Sequence, residues 1–296
     1  MRLFGLIAKM IYIREAAELT LRIETIGGAL GAVVSGISFH ATPTRRECSA
    51  LNKAFLDHHM LCFRDQDLLP QQYLSLSRLF GDPQVQLLSD YHLDGAPEIN
   101  VISNYNNMND GKPHVRATYW HTDDSYFAIP AKATLLYAQA VPSSGGDTGF
   151  INCCAVLEAM PDALRRRIDG RHAVHKYLSR RGKAKVAVRT AEEQSETPDV
   201  HHPLVRTHPE TGRPSIYINP NRIDHINAMG EADGDALLDD VYDFAFQEKF
   251  QYHHQWCPGD IVIWDNRCTM HRAHTDFDIA ERREFLRILL KGTAPE

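Results

Sequence analysis

The chain has 296 residues, 38 acidic and 32 basic, with a formal net charge of −6. That balance argues against broad nucleic-acid or membrane-surface binding, which wants a basic face, and no apolar run reaches the roughly 20 residues of a membrane span. Hydrophobic residues make up 43% and charged residues 24%, the composition of a folded chain able to bury a real core. The six cysteines form no CxxC pair, which predicts neither a disulfide framework nor a zinc knuckle and suits a reducing cytoplasm.

Residues 1–19 carry Lys9 and Arg14 inside an apolar stretch, with no small-residue cleavage site behind them. They read as a poorly ordered extension, with Met10 as an alternative start. Residues 20–40 are short apolar runs broken by glycine, which predicts strands and turns. Thr44 and Glu47 have capping-box spacing. The Cys48, Leu51, Phe55 face then predicts a helix over 45–59. LCFRDQ (61–66) reads as a strand, and Pro70 opens a second helix that Gly81 ends.

Short β-type runs dominate from there: 97–103, 133–140, 172–178, 215–219, 260–264 and 284–291, with a hairpin turn at 208–214. Helical periodicity appears near 162–169 and over 233–249, where Leu237, Leu238, Val241, Phe244 and Ala245 form the apolar stripe. Two polar stretches, 104–118 and 179–200, read as loops. Many short strands with Gly/Pro turns predict a sandwich or barrel rather than a parallel doubly wound sheet. No GxGxxG or P-loop is present.

Trp120-His121-Thr122-Asp123-Asp124-Ser125-Tyr126 carries the first chemical signal. On an extended strand, residues i and i+2 share a face, so His121 and Asp123 can serve one metal. A third ligand from a distant strand would complete a 2-His-1-carboxylate triad, the usual site of non-haem Fe(II) oxygenases. The same HxD pattern recurs at His274-Thr275-Asp276, and spacing alone does not choose between the two. The second signal is WCPGDIVIWDNRCTMHRA (256–273), a turn, a buried strand and a polar exit that leads to His271.

These segments, with GALGAVVSGI (28–37), LCFRDQDL (61–68), SRLFGDP (77–83), SSGGDTGF (143–150), HPLVRTHPETGRPSIYIN (202–219) and ERREFLR (281–287), resemble the taurine/2,4-dichlorophenoxyacetate (TauD/TfdA) family of Fe(II)/2-oxoglutarate-dependent dioxygenases over about residues 20–292. The resemblance implies a single dioxygenase domain there, mainly β with flanking helices, a double-stranded β-helix (jelly roll), with loop insertions near 84–118 and 179–200. It implies His121, Asp123 and His271 as iron ligands, and puts His274-Thr275-Asp276 outside the ligand pattern. It implies Thr148 and an arginine beyond His271 as the 2-oxoglutarate contacts. Both Arg282 and Arg283 qualify: spacing from His271 selects Arg282, whereas the RRxxxR alignment and strand parity with Arg287 select Arg283, the preferred choice. A planar guanidinium suits that role because it pairs bidentately with carboxylate and keeps its charge.

Arg287 matches a position that meets an anionic substrate group, and Tyr126 and Tyr119 are further candidate substrate contacts. Ala117 departs from the taurine pattern, in which an amide holds the substrate, so taurine is not the expected substrate. The implied reaction consumes 2-oxoglutarate and O₂, hydroxylates an aliphatic C–H of a small carboxylate or sulfonate, and releases succinate and CO₂. Asp123 favours hydroxylation, since halogenating relatives lack that carboxylate. A cytoplasmic homo-oligomer, dimer or tetramer, is expected. The rival readings are a zinc hydrolase on the same three ligands, for which no general base is evident, and a non-catalytic relative, against which the intact ligand set argues. His201/His202 and His253/His254 read as strand-end and surface residues, and Cys153/Cys154 as small buried hydrophobes.

Overall fold

A computed structural model describes residues 20–106, 112–183 and 189–296. The expected N-terminal extension and parts of both polar loops lie outside those residues. In chain order the elements are β1 (Arg22–Thr25), β2 (Ala32–Ser35), α1 (Arg45–His58), β3 (Met60–Phe63), α2 (Pro70–Ser77), β4 (Pro83–Gln84), β5 (His92–Leu93), β6 (Ala96–Ser103), β7 (Ala133–Ala140) and β8 (Thr148–Asn152). Then come α3 (Cys153–Glu158), α4 (Asp162–Ile168), β9 (His172–His175), α5 (Ala191–Ser195), β10 (Val200–Pro203), β11 (Val205–Thr207), β12 (Pro214–Ile216) and β13 (Ile223–Ile226). The chain closes with α6 (Glu231–Ala245), β14 (Gln251–His254), β15 (Ile261–Asp265), β16 (Thr269–Ala273) and β17 (Glu284–Leu290).

The major sheet runs β1-β2-β3-β15-β7-β17-β6-β5, with β4 on β17. All its pairings are antiparallel except β2 with β3. A second sheet, β14-β8-β16, holds the other half of the site. The sheets do not close into a barrel; they form the jelly roll of the resemblance.

Strand parity sorts the core into three layers. Leu61 and Phe63 of β3, Leu135 and Tyr137 of β7, and Ile261 and Ile263 of β15 face the apolar sides of α1 and α2. Their neighbours Met60, Cys62, Val262 and Trp264 point the other way and meet Phe150 of β8 between the sheets. On the outer face of the second sheet, Ile151 and Met270 pack against Leu237, Leu238 and Val241 of α6. Both faces of the central strands are therefore covered, which is why they read as continuous apolar runs rather than alternating ones.

The expected helices form. Thr44 and Glu47 make a reciprocal capping box at the start of α1, and Pro70 sits in the first turn of α2. Several boundaries differ. The second helix ends at Ser77, and the strand expected over 172–178 stops at His175. The stretch read as a loop at 179–200 contains α5, capped by Thr190 and Glu193. β8, β14 and β16 lacked a strand signal because their inward residues are largely polar: Thr148, Asn152, His254, Thr269 and His271. Among the described residues no helix is long and apolar enough to cross a membrane.

Phe63 is fully buried, edge-on to Phe39 with ring centroids 5.1 Å apart. Phe63→Ala is expected to cost about 3–5 kcal/mol in urea unfolding, against roughly 1 kcal/mol for removing the Thr44 cap with Thr44→Ala.

Candidate active site

His121 and His271 form an isolated antiparallel bridge: each backbone N–H donates to the other's carbonyl, at 3.0 and 2.8 Å. Beyond His121 the chain leaves the ladder and turns. Asp124 takes φ +58° and its carbonyl accepts from Phe127 N at 2.9 Å. Asp123 thus reaches the site from a turn and not, as the i/i+2 argument supposed, from a regular strand. The three side chains still meet. Asp123 Oδ1 lies 3.8 Å from His121 Nε2, Asp123 Oδ2 lies 3.7 Å from His271 Nε2, and the imidazole centroids are 4.1 Å apart.

A relay of hydrogen bonds holds the carboxylate. Trp264 Nε1 donates to Asn266 Oδ1 at 3.0 Å, Asn266 Nδ2 donates to Thr134 Oγ at 2.8 Å, and Thr134 Oγ–H donates to Asp123 Oδ2 at 2.6 Å. His121 Nδ1–H donates to the Tyr119 carbonyl at 2.8 Å, leaving Nε2 as the inward lone pair. The remaining part of the WDNR segment is structural. Asp265 accepts from Arg267 Nε and Nη2, at 2.8 and 2.6 Å, and from His208 Nε2 at 3.0 Å. This docks the 208–213 hairpin onto the β15–β16 corner.

Burial depresses the pKa of both imidazoles, and His121 lowers that of His271 further, so they stand neutral. Burial raises the Asp123 carboxyl, but His271, Arg287, His121 and the Thr134 hydrogen bond outweigh it and keep Asp123 ionised. Two neutral imidazoles and one carboxylate converging in a buried pocket suit a divalent cation. The adjacent Asp124 is pushed up to about 6, first by burial and then by the Asp123 charge. It accepts hydrogen bonds from Gln84 Nε2 at 2.9 Å and Tyr126 OH at 3.2 Å.

The three residues open onto a cavity of about 210 Å³ whose walls include Leu136 and Phe285 as well as Thr148 and Arg283. On β17, Phe285 and Arg287 face this cavity while Leu286, Ile288 and Leu290 face the helices. Arg283 is buried. Its Nε donates to the Gly146 carbonyl at 2.9 Å and its Nη2 to Thr148 Oγ at 3.3 Å. Burial lowers its pKa to about 10, against the pull of Asp147 and Asp276. Arg282 points outward, paired with Glu284 at 2.6 Å. Arg287 donates to Gln86 Oε1 at 2.8 Å.

The second HTD has a structural use. Asp276 Oδ1 accepts from Gly146 N at 3.0 Å. Gly145 and Gly146 both have positive φ, and a Cβ on Gly145 would lie 2.3 Å from the Asp276 carbonyl oxygen. His274 bonds His253 instead, Nε2 to Nδ1 at 3.1 Å.

Tyr126 lines the cavity. Tyr119 does not: its side chain is 42% exposed, and its contribution is the carbonyl under His121. His202 and His254 are buried rather than superficial, bonded to the Phe127 carbonyl at 3.0 Å and to Asp260 at 3.2 Å. Other buried groups bring His and Cys or Asp together, such as Cys62-His254-Asp260, but Asp260 Oδ2 there is already taken by Arg64, His254 and Cys257 N. Not expected from the sequence were Thr134 and Asp124, nor Arg116, Arg222 and Tyr177, which also line the cavity. Thr134 carried one faint signal, a hydroxyl in the otherwise apolar run ATLLYAQA.

The sequence matches the profile of the taurine catabolism dioxygenase TauD, TfdA family over residues 22–289. The chain belongs to the TauD/TfdA family. It is 33% identical over 268 residues to the (S)-phenoxypropionate/alpha-ketoglutarate-dioxygenase of Sphingobium herbicidovorans, covering 88% of this chain and 91% of that one. It is 31% identical over 252 residues to the alpha-ketoglutarate-dependent 2,4-dichlorophenoxyacetate dioxygenase of Cupriavidus pinatubonensis, covering 81% and 87%. Among solved structures, a taurine dioxygenase from Burkholderia xenovorans superposes with a TM-score of 0.79 at 29% identity over 93% and 92% of the two chains. AAD-2, solved with Mn(II) and N-oxalylglycine, gives 0.79 at 30% identity over 93% and 99%. This TauD/TfdA protein is an Fe(II)- and 2-oxoglutarate-dependent dioxygenase acting on a small molecule.

Partners of metal ligands typically change affinity by about 10–100-fold. Thr134→Val is expected to weaken Fe(II) binding by that range in an anaerobic titration and to lower the thermal unfolding midpoint of the metal-free protein by a few degrees, since Asp123 Oδ2 and Asn266 Nδ2 lose a buried partner.

Proposed function

We propose that His121, Asp123 and His271 hold Fe(II) in this dioxygenase, that Arg283 and Thr148 hold the far carboxylate of 2-oxoglutarate, and that Arg287 meets an anionic group of the prime substrate. The observation that carries this reading is the convergence of the three ligand atoms, all within 4.8 Å, on a cavity that Arg283 and Arg287 also line. When bound, the iron with 2-oxoglutarate and O₂ supplies the oxidising power that decarboxylates the keto acid to succinate and CO₂ and hydroxylates an aliphatic C–H.

The chain's own residues position and exclude. Thr134 and Asn266 fix the Asp123 carboxylate. Trp256 Nε1 and Arg283 Nη2 both donate to Thr148 Oγ, at 2.9 and 3.3 Å, which leaves the hydroxyl proton free to donate to a carboxylate. Arg283 lies over the Phe285 ring at 4.6 Å, which shields its face and leaves its edge for a carboxylate. Gln86 steadies Arg287, accepting from its Nε and donating to its backbone carbonyl. Tyr126, Tyr177, Leu88 and Ile102 supply an apolar and aromatic wall. A small acid with a short apolar body suits this wall, in keeping with the phenoxypropionate and dichlorophenoxyacetate named for the relatives.

The same reading takes residues 20–292 as one catalytic domain with insertions near 84–118 and 179–200. It places the enzyme in the cytoplasm as a homo-oligomer. Cysteines without disulfide partners support the compartment. Light scattering on a sizing column is expected to give a dimer or tetramer, and a monomer at micromolar concentration would count against it.

Anaerobic addition of Fe(II) and 2-oxoglutarate is expected to raise a weak visible charge-transfer band; no band from folded, metal-loaded protein would sink the assignment. Asp123→Ala should abolish substrate-coupled succinate formation. Arg283→Lys should weaken 2-oxoglutarate binding at least about ten-fold, since bidentate pairing is lost, whereas Arg282→Lys should leave it unchanged.

A further inference from the structure

The charges lining the cavity do not balance. Among the described residues four arginines, Arg116, Arg222, Arg283 and Arg287, face it, against two carboxylates, Asp123 and Asp124. Ferrous iron and the 2-oxoglutarate dianion cancel each other. Two positive charges are left for the prime substrate, and a monocarboxylate offsets only one. Uncompensated charge in a partly desolvated pocket is costly, so the surplus marks what the pocket is built to receive.

The disposition of the arginines indicates where the second charge goes. Arg283 is committed to 2-oxoglutarate in the reading above, and Arg287 sits beside the iron ligands, where its charge acts on Asp123 and both histidines. Arg222 lies over the rings of Tyr126 and Tyr177, 4.8 Å from each centroid, and donates to the Tyr177 carbonyl. Arg116 enters from the segment ahead of His121 and lies over Tyr91 at 4.1 Å. Stacking uses the face of a guanidinium and leaves its N–H edge for an anion. Among the described residues, no carboxylate pairs with Arg116, Arg222 or Arg287. Arg116 Nε is buried there without any hydrogen-bond acceptor, and its Nη2 has only a long contact of 3.5 Å to the Asn106 carbonyl. A buried donor of a charged group left unpaired is costly and rare, and a ligand in the cavity would satisfy it.

We infer that the prime substrate is a dianion, with one anionic group at Arg287 near the iron and a second, at its far end, taken by Arg116 over Tyr91 with Arg222 beside it. This rests on the dioxygenase reading of the same site and deepens it. The substrate class is a small acid with anionic groups at both ends of a short apolar or aromatic body.

The test uses matched probes: straight-chain α,ω-dicarboxylates of five to ten carbons with their mono-amides, and 2-(4-carboxyphenoxy)propionate with its 4-carboxamide. Each amide keeps the shape and removes one charge. Binding is read anaerobically as the probe-induced change in the visible band of the iron–2-oxoglutarate protein, and turnover as succinate formed. At least one dianion is expected to bind about ten-fold or more tighter than its amide, as one charge-assisted hydrogen bond provides. Arg116→Gln should bring that ratio close to one, with the starting band retained as evidence of an intact iron site. The inference is overturned if no dianion outbinds its amide, or if the preference survives in Arg116→Gln. Loss of the dioxygenase reading itself would show separately, as absence of the band before any probe is added.

Discussion

A carboxylate cannot stay ionised in a protein interior without donors around it, and that requirement at Asp123 organises the site. Its hydroxyl donor, Thr134, lies on β7; the amide that orients Thr134 is Asn266, at the end of β15; and the indole that orients Asn266 is Trp264. β7 and β15 are neighbours in the major sheet, whereas His271 lies on the second sheet. The three converging side chains come from the second sheet and the turn beside it, while the donors that brace Asp123 come from the major sheet, so the site depends on the packing of the two. The His121–His271 bridge ties the HTD segment to β16 of the second sheet.

Arginine does different work at each place it appears. Arg267 is consumed by Asp265 and fastens a hairpin. Arg282 is spent on Glu284 at the surface. Among the described residues Arg283 has no carboxylate partner: it is braced by a carbonyl and a hydroxyl and keeps its charge despite burial. The separation follows from strand parity, since 282 and 283 must point to opposite sides of the chain. The Gly145-Gly146 turn, pinned by Asp276, delivers the carbonyl that Arg283 needs. The second HTD pattern thus serves the site without taking part in ligation.

The helices and the buried strands were legible in the sequence because their signals are local: a capping box at Thr44, a proline at the start of α2, apolar runs at 133–140 and 260–264. β8, β14 and β16 were not, because a strand that lines a polar site carries hydroxyls and imidazoles where the apolar residues would be. Position by position, the family motifs indicated the residues that converge at the cavity. They gave no sign of Thr134, Arg116 or Arg222, whose importance lies in what they face across the fold. Tyr119 looked like a substrate contact from its place beside the HTD, but the backbone turns its ring outward. The histidine pairs misled in the opposite direction: alternation along β10 and β14 buries one member of each and exposes the other.

The two-sided strand β17 also limits how this enzyme can change over evolutionary time. Its odd-numbered residues Phe285 and Arg287, with Arg283 just ahead of it, line the cavity, and its even-numbered residues from 286 to 290 anchor the helical layer. A single-residue insertion or deletion within it would exchange the two roles, placing leucine against the cofactor pocket and arginine in the oily layer. Substitutions can accumulate on the pocket side, one at a time, without eroding the fold. Lineages of this architecture can thus diversify in specificity by point replacement on one face while the opposite face keeps a nearly constant register.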